Sequence, residues 1–300
     1  MRRLPSRHGR ISVFFLSKTP YESSQAIEQA ARFVREADAL LVTAGAGMGV
    51  DSGLPDFRGK EGFWRAYPAI AKLGLSFAEM ANPNWFDQSP ELAWAFYGHR
   101  LNLYRRTKPH AGFQRLIDYG RQKRHGYFVF TSNVDGQFQK AGFAEDRVAE
   151  CHGSILHFQC CQPCHDAIWD ADREKVMVDE ANFLALAPLP KCPRCERIAR
   201  PNVLMFGDGR WLASRSYAQD RELRKWLGSL PANRAKLVII ELGAGTAIST
   251  VRRLSEHLAE EFAAPLIRIN PREPDVPPAH VGLPLNAEPG LRQVFDLVES

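Results

Sequence analysis

Ala39-Leu40-Leu41-Val42-Thr43-Ala44-Gly45-Ala46-Gly47 is the stretch that decides the fold. From Ala39 to Thr43 the residues do not alternate between apolar and polar, the pattern of a strand buried on both faces, and the run goes straight into a Gly-Ala-Gly turn. The same event recurs downstream. Tyr127 to Phe130 ends in Thr131-Ser132-Asn133-Val134-Asp135, Leu237 to Leu242 ends in Gly243-Ala244-Gly245-Thr246, and Leu266 to Ile269 ends at Asn270. Ahead of the first strand, Ser24 to Glu36 has apolar residues at 27, 30, 31, 33 and 34, spaced as on one face of a helix. Buried strands alternating with helices predict an α/β protein with a Rossmann-like, doubly wound parallel sheet. Ligands of such sheets bind beyond the carboxyl ends of the strands, so one crevice should collect all of these polar clusters.

The composition sets the outer bounds. With 300 residues and 45% of them hydrophobic, the chain can bury one large core or two smaller ones. No apolar run approaches the roughly 18–20 residues of a membrane-spanning helix, so no membrane span is expected. The net charge of +5 sits in residues 1–20, which hold Arg2, Arg3, Arg7, Arg10 and Lys18 and no acid. The remaining 280 residues carry 34 basic and 34 acidic side chains, which argues against a nucleic-acid partner bound by overall charge. We expect residues 1–24 to be a basic, flexible segment and the protein to be cytoplasmic.

Two stretches break the alternation. Residues 61–105 are aromatic with a helical pattern, and residues 153–200 hold the cysteines and Pro-rich turns. Both are expected to form a smaller helical and zinc-binding module, leaving 25–60, 106–152 and 201–300 as the Rossmann-like domain. All six cysteines, at 151, 160, 161, 164, 192 and 195, fall within 45 residues, which suits a metal site better than a disulfide framework. Cys192-Pro193-Arg194-Cys195 is a C-x2-C knuckle, and an upstream pair would complete the four thiolates of a closed zinc site. Spacing alone offers Cys161 with Cys164, or Cys160 with Cys164.

Taken alone, the Gly45-x-Gly47 turn is weak evidence for a dinucleotide. The third glycine of the usual fingerprint would fall at 50, which is Val50, and no acid-terminated strand follows at the expected distance. An ordinary dehydrogenase is disfavoured. The text continues, however, as Gly53-Leu54-Pro55-Asp56-Phe57-Arg58, followed in order by Asn133-x-Asp135, Ala141-Gly142, His152-Gly153, the cysteine pairs, Phe206-Gly207, the 243–245 turn and Ile269-Asn270. This set resembles the sirtuin family over roughly residues 25–295.

The resemblance implies an NAD-dependent protein lysine deacylase with NAD as cosubstrate, one structural zinc and an acyl-lysine protein or peptide as partner. In sirtuins the acyl oxygen displaces nicotinamide from the ribose. The 2′-hydroxyl then attacks the alkylamidate, releasing lysine and O-acyl-ADP-ribose. Carried over residue by residue, His152 becomes the general base, a role suited to imidazole near neutral pH. Asn133 would hold the nicotinamide ribose or a water, and Asp135 would accept from the nicotinamide carboxamide, so both join His152 in the catalytic set. Gly45, Ala46, Gly47, Asp56, Phe57, Arg58, Ser132, Gly243, Gly245, Thr246 and Asn270 complete the cofactor contacts. Phe57 would shield the reactive face and Arg58 would sit near the phosphates. The family's first zinc ligand lies eight residues after the histidine, which selects Cys160, with Cys164, Cys192 and Cys195.

Three departures stand out. Gly49 replaces the family's serine, Ser132 replaces its glutamine, and Gln137-Phe138 replaces a Leu-His pair. They keep open one alternative, NAD hydrolysis or ADP-ribosyl transfer on the same scaffold; a second, a non-catalytic NAD or ADP-ribose binding module, has the retained His152, Asn133 and Asp135 against it. Trp94-Ala95-Phe96-Tyr97-Gly98-His99-Arg100 resembles the sirtuin subgroup that removes negatively charged acyl groups. Tyr97 and Arg100 share one helix face at i, i+3 and together can recognise an acyl carboxylate. Succinyl-, malonyl- or glutaryl-lysine is therefore favoured, with deacetylation retained.

Overall fold

The computed structural model describes residues 20–55 and 67–300. The expectations for the basic head up to residue 19, and for Asp56, Phe57 and Arg58, lie outside the described residues. The strands in chain order are β1 Ala39–Ala44, β2 Tyr127–Thr131, β3 Val148–Glu150, β4 Gly153–Cys160, β5 Trp169–Asp170, β6 Val178–Asp179, β7 Leu184–Ala185, β8 Ala199–Val203, β9 Leu237–Leu242, β10 Leu266–Ile269 and β11 Val281–Leu283. Six of them form one parallel sheet in the order β11-β10-β9-β1-β2-β3. The chain winds outward from β1 through β2 to β3, then returns to the other side of β1 with β9. The strand order therefore reverses between β1 and β9, the place where open α/β sheets bind ligands.

Both faces of the sheet are covered, which is why its central strands read as unbroken apolar runs. Leu40, Val42 and Ala44 of β1 face one core with Val129, Val238 and Ile240. That core is closed by Ala30 and Val34 of helix Pro20–Glu36, Leu116 of helix Ala111–Gln122 and Leu291 of helix Ala287–Glu299. Ala39 and Leu41 point the opposite way, toward Leu223, Trp226 and Leu230 of helix Ser214–Ala232 and Leu258 of helix Thr250–Glu261. The two edge strands, β3 and β11, are three residues each, too short for periodicity to announce them.

A second apolar cluster belongs to the smaller module. Helix Pro90–Arg106 lies at its centre, with Trp94, Phe96 and Tyr97 almost fully buried among Phe86, Phe158 and Ala199. The Trp94 indole donates to the Ala199 carbonyl at 2.9 Å and meets the Phe158 ring edge-on at 5.0 Å between centroids. These contacts seat the helix on the antiparallel sheet β5-β4-β8. Its carboxyl end is tied to the short helix Gln137–Lys140 that follows the loop after β2, because Gln137 donates to the Tyr104 carbonyl at 3.1 Å and Lys140 donates to the Arg105 and Thr107 carbonyls. These side chains satisfy carbonyls that a helix end leaves without partners. Among the described residues, no helix is long and apolar enough to cross a membrane.

The glycines at the ends of β1 and β9 hold these strand ends together. Gly45 N–H donates to Leu242 O at 2.9 Å and Gly47 N–H donates to Gly243 O at 3.0 Å. Gly243 has φ +59°, and a Cβ there would lie 2.4 Å from the Gly47 backbone. Gly243→Ala should therefore lower unfolding stability by about 2–4 kcal/mol, from left-handed strain plus steric displacement of the first turn. Urea unfolding followed by tryptophan fluorescence is the measurement that checks this.

Candidate active site

The polar clusters that end β1, β2 and β9 surround the carboxyl end of the sheet, and residue 152 follows the end of β3. After β2, Thr131 Oγ1 donates to Ala44 O at 3.0 Å and accepts from Asn133 N–H at the same distance. Asn133 Nδ2 in turn donates to Gly45 O at 3.0 Å, so the Asn133-x-Asp135 loop is fastened directly to the glycine turn. His110 braces that turn from behind. Its Nδ1 accepts from Gly112 N–H at 3.1 Å, leaving Nε2 to carry the hydrogen donated to Met48 O at 3.0 Å.

Asp135 is partly exposed at its surface, yet burial is the main reason its carboxyl is pushed up to about 6. A hydrogen bond from Gln137 N–H opposes that rise, the charge of Glu150 adds to it, and Arg100 opposes it. His152 is half-buried, and burial also pushes its imidazole below the usual range, against a hydrogen bond with the Ser132 backbone. It is therefore neutral near pH 7 and able to accept a proton. Cys151, its neighbour, is held by its N–H to Thr131 O at 2.9 Å, and burial pushes its thiol up to about 12. It behaves as a packed thiol and not as a nucleophile.

On the other side of the strand reversal, Gly243 is buried, Gly245 is half-buried and Thr246 is exposed. Thr246 donates through both N–H and Oγ1 to Glu273, at 3.0 and 2.7 Å. Asn270 is fully buried: Nδ2 donates to Ala244 O at 2.8 Å, and Oδ1 accepts from Arg272 N–H and Glu273 N–H. Its side chain shapes this loop through its own main chain. Ala46 is exposed at the tip of the first turn and Gly47 is half-buried. At Gly49, where the family has serine, a Cβ would lie 2.8 Å from Leu54 Cδ1, so Leu54 fills the space such a side chain would need.

The cysteines separate cleanly. Cys160, Cys164, Cys192 and Cys195 place their Sγ atoms within 4.8 Å of one another, with Cys160–Cys195 and Cys164–Cys192 both at 3.7 Å. A tetrahedron with Zn–S bonds of about 2.3 Å has S···S edges of about 3.8 Å, so the four thiols fit zinc and leave no open position. The Arg197 main-chain N–H helps hold the Cys195 thiol near 7, which favours the thiolate a metal needs. His165 accepts at Nδ1 from Ala167 N–H and directs Nε2–H to Cys192 Sγ at 3.4 Å, supporting the ligand sulfur from outside. Cys161 points instead into the apolar cluster of the small module.

Tyr97 and Arg100 lie on the inward face of helix Pro90–Arg106, 1% and 6% exposed. Arg100 is thus enclosed, and its Cζ lies 5.2–5.8 Å from the ring centroids of Phe77, Phe96, Tyr97 and Tyr104. Its hydrogen bonds go to Tyr104, four residues on, a residue the motif reading passed over although i, i+4 spacing places it on the same face. His110 and Lys140 were equally unannounced, and Gln137 stood out only as a departure from the family, because each acts on backbone carbonyls distant in sequence.

The Sir2 family profile matches residues 45–222, and the chain belongs to that family. A protein from Thermus thermophilus named NAD-dependent protein deacylase is 30% identical over 274 residues, covering 88% of this chain and 92% of its own length. One of the same name from Aeropyrum pernix is 32% identical over 250 residues, covering 82% and 86%. Among solved structures, a Sir2 homologue in complex with NAD superposes with TM-score 0.68 at 27% identity, covering 91% of this chain and 94% of that one. A mutant Sir2 homologue bound to ADP-ribose gives 0.68 at 26% identity, with 91% and 96% covered.

Two measurements test this geometry. Cys160→Ser should lose the metal and lower the thermal midpoint by about 10 °C or more, whereas Cys161→Ala should retain zinc, as read by elemental analysis of the purified protein. For Asp135 the native pKa lies above the unfolded one, so the native state holds the extra proton between roughly pH 4 and 6 and stability falls as pH rises through that window. Asp135→Asn should abolish this slope, becoming relatively more stable than the parent by up to about 3 kcal/mol above pH 6, as read by urea unfolding at several pH values.

Proposed function

We propose that this chain is a zinc-containing, NAD-dependent protein lysine deacylase that binds NAD at the carboxyl end of the parallel sheet. The acyl-lysine segment lies between the sheet and the smaller module. The observation that carries the reading is the linkage of three strand ends: Asn133 bonded to Gly45 O, Gly47 bonded to Gly243 O, and the His152 imidazole beside the Ser132 backbone. The names of the relatives and the NAD and ADP-ribose complexes of the solved homologues support it. The glycine turns let backbone N–H groups approach the pyrophosphate. The division into a Rossmann-like domain of residues 25–60, 106–152 and 201–300 and a module of 61–105 and 153–200 belongs to the same proposal. So does a cytoplasmic location, which suits six cysteines that form no disulfide.

In this reading Asp135, ionised above about pH 6, accepts from the carboxamide of nicotinamide and turns the ring for departure. Asn133 holds the nicotinamide ribose or a water with an amide already oriented by Gly45. As the acyl oxygen bonds to the ribose carbon, the C–N bond to nicotinamide breaks. His152, neutral because burial lowers its pKa, then takes the proton of the ribose 2′-hydroxyl as that oxygen attacks the acyl-derived carbon. Loss of the lysine amine and addition of one solvent water to the cyclic acyl intermediate then give nicotinamide, O-acyl-ADP-ribose and free lysine. Asp56, Phe57 and Arg58 complete the cofactor set by family resemblance. Tyr97 and the enclosed Arg100 favour acyl chains ending in a carboxylate, succinyl, malonyl or glutaryl, over acetyl.

A second reading, NAD hydrolysis or ADP-ribosyl transfer, is favoured by Ser132 in place of glutamine and by the Leu54 side chain occupying the space beside Gly49. Product analysis by mass spectrometry separates the two. With NAD and acyl-lysine peptide the protein should form O-acyl-ADP-ribose, and His152→Ala should reduce that product at least 100-fold. Plain ADP-ribose formed equally with and without peptide would replace the deacylase reading by the second one.

A further inference from the structure

Helix Pro90–Arg106 carries a third polar side chain one turn beyond Arg100. Tyr104 is 5% exposed, and its Oη accepts from Arg100 Nε at 3.0 Å and from Arg100 Nη2 at 2.8 Å. Two donors on one phenol oxygen use its acceptor capacity and leave its own hydrogen to be donated. Among the described residues Tyr104 Oη donates to no acceptor. Burial is the first reason its pKa is raised, with the Asp135 charge adding and Arg100 opposing, so the hydroxyl keeps that hydrogen at neutral pH.

The surroundings show where that hydrogen is useful. Tyr97, Arg100 and Tyr104 sit at i, i+3 and i+7, one inward stripe of the helix, and the rings of Phe77 and Phe96 wall the guanidinium off from water. In such a low-dielectric enclosure a hydrogen bond to a carboxylate is worth more than at the surface. The stripe also adjoins the nicotinamide side of the site, because the Arg100 charge acts on Asp135 and Gln137 fastens the Tyr104 carbonyl to the short helix that follows the loop after β2. The Tyr104 hydroxyl thus lies against the guanidinium, close enough to Asp135 to feel its charge.

We infer that Tyr104 is a specificity-determining residue whose hydroxyl donates directly to the terminal carboxylate of an acidic acyl group, opposite Tyr97 and beside the Arg100 it orients. The inference rests on the reading of Arg100 as the acyl-carboxylate site and adds to it a donor that the Tyr-x-x-Arg pair lacks. It assigns the pocket to dicarboxylic acyl chains that can take a hydrogen bond from each side of the guanidinium.

The test uses the full chain with NAD and two peptides of one sequence bearing acetyl- or succinyl-lysine, comparing the parent, Tyr104→Phe and Arg100→Met. The quantity read is the ratio of kcat/KM for succinyl to that for acetyl, which cancels any change in the active fraction of a preparation. Tyr104→Phe should lower this ratio tenfold or more, mainly through KM for the succinyl peptide, and Arg100→Met should lower it further. If Arg100→Met collapses the ratio while Tyr104→Phe leaves it within twofold of the parent, Tyr104 only packs and the inference fails while the acyl-carboxylate reading stands. If the parent shows no preference for succinyl and Arg100→Met changes nothing, both fall.

Discussion

The contact of two glycine turns at the place where strand order reverses is the constraint on which the rest of the site depends. A parallel sheet brings the carboxyl ends of β1 and β9 side by side, but only residues without a Cβ let the chains leaving those strands approach this closely. Gly47 N–H donates to Gly243 O there, while Gly45 N–H donates to Leu242 O and Gly243 N–H to Ile269 O, so the two turns are joined through their main chain. From that fixed point Asn133 is oriented through Gly45 O, and His110 closes the loop through Met48 O.

Electrostatics divide the crevice. Around the loop after β2 and the end of β3, burial raises the Asp135 carboxyl and lowers the His152 imidazole, so the first titrates nearer neutrality and the second stays uncharged there. In the smaller module, the Arg100 guanidinium is buried among four rings and donates to the Tyr104 phenol. Helix Pro90–Arg106 joins the two regions, since its inward face carries Arg100 and its carboxyl end is held by Gln137 and Lys140 from the short helix that follows the loop after β2. The departure from the family at residue 137 thus has a local function: a buried glutamine amide replaces an apolar side chain and satisfies a helix-end carbonyl.

The zinc module shows how spacing and folding share the specification. Cys161 with Cys164 has the more familiar x2 spacing, yet Cys160 faces the other three thiols. Along extended β4 successive side chains alternate faces, and the adjacent cysteines are sent to opposite destinations, one to the metal cluster and one to the apolar core. A count of residues between ligands does not encode that alternation unless the strand is known to continue to Cys160.

The amino-acid sequence by itself determined the four long parallel strands, since burial on both faces demands unbroken apolar runs that nothing else in a neutral, medium-sized chain requires. It also determined the glycine turns and the clustered cysteines, because each is a local pattern of residue types whose chemistry needs no distant partner to be recognised. Tertiary structure alone decided what depends on contacts between distant segments: the two short edge strands, the clasp of Gln137 and Lys140 and the bracing by His110. It also decided the fate of Arg100. Helical spacing placed that guanidinium on a face with Tyr97 and Tyr104, but only the packing of the small module buried the face, removed water from it and made a phenol the group it meets.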